Sequence, residues 1–275
     1  PCAARRQRLH PARPALRRRR VGSERMFHFH IGVHKTGSTT LQRFFLRNRA
    51  LLAEAGVDYP DIGMFLFGQH RLAFTFLRNE MTADGPPSEP VAALAAYAAA
   101  NPERTALLSS ESFEDLGPAA IRRLVETVRP HDVRVFLYVR DFTRLVPSRY
   151  AQKTKVGGNL DDFDAFLAGG GGKPQAYDVV ARWAAVVGWE NVRVRALDPR
   201  SLDPGGLLAD GLRAVGLDPA ILTRCDPASL VAANETPHWI AVEAVRAIGL
   251  KLTAAGETWR PGMALKPRPR RPEQE

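Results

Sequence analysis

Between Gly32 and Thr40 the sequence gathers the residue types of an anion-binding loop: two glycines, a lysine and a run of hydroxyls. Gly32 and Gly37 have the spacing of a Walker A loop, and Thr39 stands where that motif wants serine or threonine. Set between a strand and a helix, such a loop turns backbone N–H groups and a helix N-terminus toward an anion. The lysine is misplaced for a nucleoside triphosphatase, which needs it beside the last glycine to reach the β- and γ-phosphates. Ser38 occupies that place, and the lysine comes three residues earlier, as Lys35. From there it can reach over the loop, toward a group at the 5′ end of a nucleotide.

A second pair of residues suits phosphate. The strand-like run Val133–Val139 ends in Arg140, and Ser148 follows eight residues on. The rearranged loop Lys35-Thr36-Gly37-Ser38-Thr39-Thr40 resembles the 5′-phosphosulfate loop of the PAPS-dependent sulfotransferases, whose donor is 3′-phosphoadenosine 5′-phosphosulfate. Arg140 and Ser148 resemble the strand-terminal arginine and the serine with which that family holds the donor's 3′-phosphate. The resemblance covers residues 26 to about 217, including Tyr177–Trp183, Asn191–Ala196 and Gly206–Gly216, and is closest to the bacterial branch.

The resemblance implies a P-loop-like three-layer α/β fold with a central parallel sheet flanked by helices. It also implies transfer of a sulfuryl group from PAPS to an acceptor hydroxyl, on a saccharide or small metabolite, with release of 3′,5′-ADP. Lys35, Thr36, Gly37, Ser38, Thr39 and Thr40 would hold the 5′-phosphosulfate, and Arg140 and Ser148 the 3′-phosphate, for which a planar guanidinium is well shaped. Lys35 would also neutralise charge on the bridging oxygen as the sulfuryl group leaves. No metal is needed in this chemistry, and no strand ends in a clean Walker B aspartate; Asp141 is the only imitation. The cytosolic members carry a late Arg-Lys-Gly-rich segment. Here only Trp259–Gly262 is faintly comparable, and no role is carried over to it.

An acceptor hydroxyl must lose its proton to a general base. Two residues stand where family members keep one. His70, in Gly68–Arg71, follows the first helix, and Glu111, in Ser109–Ser112, closes the second strand. A carboxylate at the C-terminal end of a strand faces the crevice of an open parallel sheet. The residues leave both open. His28, His30 and His34 admit a metal-cluster reading, but strand alternation and the loop explain them better: His28 and His30 as satisfied core residues, His34 as a neighbour of the donor. Trp183, Trp189 and Tyr177 read as core rather than as a ligand platform. Gly169–Gly172 reads as a mobile loop, and Asn234–Thr236 matches a glycosylation acceptor without a secretory signal to give it meaning.

The elements that must position these groups alternate from Met26 onward, which argues for parallel βαβ units. Strands are predicted at Met26–Val33, Thr105–Ser110, Val133–Val139 and Val192–Leu197. Helices are predicted after Gly37 (Leu41, Phe44, Phe45 and Leu52 on one side) and over 70–80, 91–101, 142–155 and 161–168. Others follow Gly117-Pro118, the stripe Tyr177, Val180, Ala181, Ala184 and Val187, and Pro237, the last burying Ala241, Val245, Ile248 and Leu252.

The 275 residues are 45% hydrophobic and 25% charged, which excludes wholesale disorder. One core is expected over 26–257, between a disordered basic segment, 1–25, and a basic tail, 258–275; the first segment also reads as lying upstream of a natural start at Met26. Nine arginines and one glutamate give residues 1–25 a charge of +8, and residues 266–275 add +2, so the net +10 leaves the body near neutral. Basic tails on a neutral body give no sequence-reading nucleic-acid surface. They leave open a non-catalytic polyanion-binding protein, while a small-molecule kinase using ATP and magnesium shares the expected fold. Two cysteines are too few for a disulfide framework, so a reducing, cytoplasmic setting is expected. The longest apolar runs, such as Val91–Ala100, are about half a membrane span. Oligomeric state is not legible.

Overall fold

Six consecutive residues, Met26–Ile31, form β1, and all six are buried, as a strand between two helical layers must be. The computed structural model describes residues 25–78, 88–171, 176–202, 204–231 and 238–257. The expectations placed on 1–24, on the 258–275 tail with Trp259–Gly262, on Asn234–Thr236, on Gly172 and on a helix start at Pro237 lie outside the described residues.

Around β1 the strands β2 (Val57–Asp58), β3 (Thr105–Ser110), β4 (Asp132–Val139) and β5 (Val192–Ala196) make a parallel sheet in the order β2-β3-β1-β4-β5. Alternation then sorts the side chains. Phe27, Phe29 and Ile31 join Ala106, Leu108, Val133, Val135 and Leu137 on one face. That face packs on α3 (His70–Leu77), α4 (Glu89–Ala100), α5 (Pro118–Thr127) and α8 (Ala176–Val187). On the other face Leu107, Phe136 and Tyr138 meet α1 (Ser38–Arg47), α2 (Arg49–Glu54) and α9 (Gly206–Ala214). A smaller cluster joins α6 (Phe142–Gly157), α7 (Phe163–Phe166) and α10 (Trp239–Ala254). The protein is thus an α/β molecule with helices on both faces of a parallel sheet, the expected P-loop-like architecture.

Several expectations need correction. The helix after Gly37 does not run on to Leu52. It breaks at buried Asn48, whose side-chain amide donates to the Phe44 carbonyl (2.9 Å) and to Ser229 Oγ (2.8 Å). Strand β2 has two residues, too few to show alternation, and is held by Asp58, which accepts from Tyr97 (2.5 Å) and Arg104 Nε (2.9 Å). Helix α7 gives way at Phe166 to a wider turn, Leu167–Gly171, containing Gly170 at φ 83°. Tyr177 (74% exposed) and Trp189 (59%) are surface residues: the buried stripe of α8 is Val179, Val180, Trp183 and Ala184, and Trp189 lies past the helix in a 3₁₀ turn, Trp189–Asn191. Helix α10 buries Val242, Val245 and Gly249, a stripe rotated from the expected one. On the same helix Glu243 accepts from Tyr150 of α6 (2.9 Å) and from Arg246 (2.8 Å). Among the described residues, no helix is long and apolar enough to cross a membrane.

Candidate active site

In an all-parallel sheet the turns after the strands open at one edge. Ile31, at the end of β1, pairs with Ser110, at the end of β3, so the loop from Gly32 starts beside Glu111. Strand β4 pairs with β1 up to Phe136 and runs three residues further, carrying Arg140 out alongside that loop.

The loop is tightly built. A Cβ on Gly32 would fall 2.5 Å from Ser38 Oγ and 2.9 Å from Glu111 Cγ, so only glycine lets the chain turn there without displacing both groups. Gly37 sits in the left-handed region (φ 84°) ahead of α1, and no side chain caps that helix. The Thr40 and Leu41 amides donate to the Gly37 carbonyl at 3.0 and 3.2 Å, so in the first turn it is Ser38 and Thr39 whose amides have no intrahelical acceptor, with the helix dipole behind them. Ser38 is buried and its hydroxyl has no partner. Thr36, also buried, turns inward and donates to the Val33 carbonyl at 2.5 Å. Lys35 itself has φ 70°, a conformation that costs a non-glycine residue on the order of 1 kcal/mol.

The second anchor closes on the first. Arg140 Nη1 lies 3.5 Å from the Lys35 carbonyl oxygen, and Lys35 Nζ donates to Gln152 Oε1 of α6 at 2.6 Å. Asp141 caps α6, accepting from the Thr143 amide at 2.8 Å, which gives the one imitation of a Walker B aspartate a structural job. A single cavity of about 850 Å³ is lined by Lys35, Gly37, Ser38, Thr39, Thr40, Glu111, Arg140 and Ser148. That volume suits a nucleotide-sized ligand. His34, Arg149, Gln152, Lys153 and Lys155 also line it. Burial lowers the Lys35 ammonium from its ordinary value, with Glu111 pulling the other way.

Glu111 begins a 3₁₀ turn, Glu111–Asp115, in which residues three apart eclipse one another. Glu111 and Glu114 therefore stack on one side, and His34 bridges them. Its Nδ1 is 3.2 Å from Glu111 Oε2 and its Nε2 3.2 Å from Glu114 Oε1. The hydrogen bond to Glu111 raises His34 above the usual histidine range, against burial. Burial alone would raise Glu111, but the bond from His34 and the nearby His70 and His30 hold it below its ordinary value. Glu114 is pushed up to about 7 by burial, despite the pull of His34.

Of the residues singled out in the sequence, the loop from Lys35 to Thr40, Glu111, Arg140 and Ser148 converge here, apart from the inward-facing Thr36. His70 does not line the cavity. It starts α3, with Nδ1 2.9 Å from Ser110 Oγ, and burial lowers its pKa. His28 and His30 face the other side of the sheet from the Phe27 cluster. His30 is only half satisfied: Nδ1 meets Ser109 Oγ at 2.8 Å while Nε2 has no partner. Among the described residues, no group of three His, Cys, Asp or Glu converges as a metal site. Sequence reasoning missed Gln152 and Lys155, although both lie on the helical face of Ser148, at the four- and seven-residue spacings that mark one. It also missed Glu114, whose pairing depends on a 3₁₀ turn that no periodicity announced.

No protein-family model and no curated protein matches the sequence. Among solved structures the chain is similar to the crystal structure of a sulfotransferase from Alicyclobacillus acidocaldarius, at 17% identity and a TM-score of 0.46, over 87% of this chain and 98% of that one. A likeness at this level carries no argument about what the chain does.

Proposed function

We propose that this chain is a PAPS-dependent sulfotransferase, moving a sulfuryl group to the hydroxyl of a saccharide or small metabolite. One observation supports the reading above others: the Lys35–Thr40 loop and the Arg140/Ser148 pair line the same cavity and touch through Arg140 and the Lys35 carbonyl oxygen. The unpartnered buried hydroxyl of Ser38 and the Ser38 and Thr39 amides at the start of α1 fit an anion, and the cavity fits a nucleotide.

In this mechanism Gly37, Ser38, Thr39 and Thr40 receive the 5′-phosphosulfate, and Arg140 with Ser148 the 3′-phosphate that separates this donor from ATP. Glu111 accepts the acceptor's hydroxyl proton. It is preferred to His70 because it lines the cavity and is held ionised by His34. The acceptor oxygen forms its bond to sulfur as the bond from sulfur to the bridging oxygen breaks. The electron pair departs on the 5′-phosphate, where the Lys35 ammonium meets the charge.

The test is calorimetric titration with 3′,5′-ADP, ATP and AMP. The first should bind at least tenfold tighter than the others, and Arg140→Ala should abolish that preference. Equal binding of ATP in the wild type would overturn the reading in favour of a kinase.

A further inference from the structure

Glu114 lies outside the donor cavity, yet one of its oxygens reaches the site through His34. Building on the proposed reaction, we propose that Glu114 is a positioning residue: through His34 it fixes the imidazole so that Nδ1–H always points at Glu111, the base. The geometry allows two protonation patterns, and both give that outcome. If Glu114 is ionised, both ring nitrogens must carry protons, one donated to each carboxylate. If Glu114 is the neutral acid, its O–H donates to Nε2 and the remaining ring proton must sit on Nδ1. The two patterns carry the same total charge. The cluster can therefore pass from one to the other without releasing Glu111.

The surroundings explain why this needs a buried carboxyl group. Glu114 is 4% exposed, and its second oxygen has no partner, so a full charge there is costly while a carbonyl oxygen is tolerable. The charged groups around it are His34, Asp115, Arg149 and Glu111, and its own carbonyl accepts from Arg182 at 2.6 Å. Glu111 faces His34, His70 and His30, with Lys35 across the cavity. Burial pushes Glu114 up to about 7, into the range of a histidine, so the carboxyl group can hold the proton it shares with His34. Ionised Glu111 can only accept at Nδ1, but it holds one end of a ring whose side chain is 53% exposed; Glu114 at Nε2 holds the other end and so keeps the imidazole from turning away.

The test uses Glu114→Gln in the full chain. A glutamine can still hydrogen-bond Nε2 but carries neither the charge nor the acidic proton, so the imidazolium loses one of its two carboxylates. The His34 titration midpoint, followed by NMR without any donor, should fall by about one pH unit. The alkaline limb of the kcat profile should fall with it, while the donor KM stays within about twofold. An unchanged midpoint with a superimposable profile would make Glu114 merely structural and overturn the proposal. Should Glu114→Gln not fold, His34→Gln at its half-exposed position should remove that alkaline limb, and a retained limb would be equally fatal. Failure of the donor reading shows separately, as a lack of preference for 3′,5′-ADP in calorimetry, because the NMR titration needs no nucleotide.

Discussion

Lys35 is held by three local circumstances: a left-handed backbone, partial burial that weakens its ammonium's hold on the proton, and a hydrogen bond to Gln152. In the proposed reaction its charge is needed most when the leaving oxygen becomes an anion, and less when the donor is simply bound. Lys35→Ala should therefore cut kcat by about 10²–10³-fold and change 3′,5′-ADP affinity by less than tenfold; rapid-quench turnover and calorimetry read the two separately. At this scale the anchors were legible because each is a residue type at a fixed offset from a strand end: Lys35, Ser38, Arg140, Ser148. His34 and Glu111 were each visible, but their pairing was not, and Glu114 was missed. A histidine's role depends on what faces its two nitrogens, and both glutamates come from a turn some 80 residues further along the chain, beyond the reach of local spacing.

Strands with both faces buried read as near-continuous apolar runs, so β3 and β4 were legible almost to the residue. The two-residue β2 was not, and neither was the break at Asn48, which depends on distant Ser229. Strand β1 carries a cost in its two buried histidines. Burial lowers His28 to about 3 and His30 to about 4. Both are neutral in the folded protein, whereas the unfolded chain takes up protons below about pH 6.5. Their contribution to stability is thus complete above that pH and is lost as pH falls toward the native values. Each histidine should remove about 3 kcal/mol by pH 4. Chemical denaturation between pH 7.5 and 4.5 should show this slope, and His28→Asn should take away roughly half of it.

Across the whole molecule the formal charge of +10 is misleading, since most of it lies in residues outside the body. What matters to a polyanionic ligand is local: Lys35, Arg140, Arg149, Lys153 and Lys155 line one cavity with Glu111 as the acidic lining residue. A cleft with low-dielectric walls focuses such a field. Removing residues 1–24 should leave 3′,5′-ADP affinity within twofold while weakening retention on heparin; loss of the nucleotide as well would favour the polyanion-binding rival. The fold class and the shared strand-end edge followed from the βαβ alternation, but the cavity's basic wall did not, because α6 presents it only once coiled against the loop.

The bond between Lys35 and Gln152 joins positions 117 apart in the chain. A lysine arm left loose would surrender up to about 2 kcal/mol of rotamer freedom on meeting its ligand. Here that freedom has already been relinquished during folding, with a neutral amide as placeholder. In the proposed reaction an arriving anion need only displace a glutamine, so the Lys35 ammonium would be recruited by exchange of partners instead of by capture from solvent.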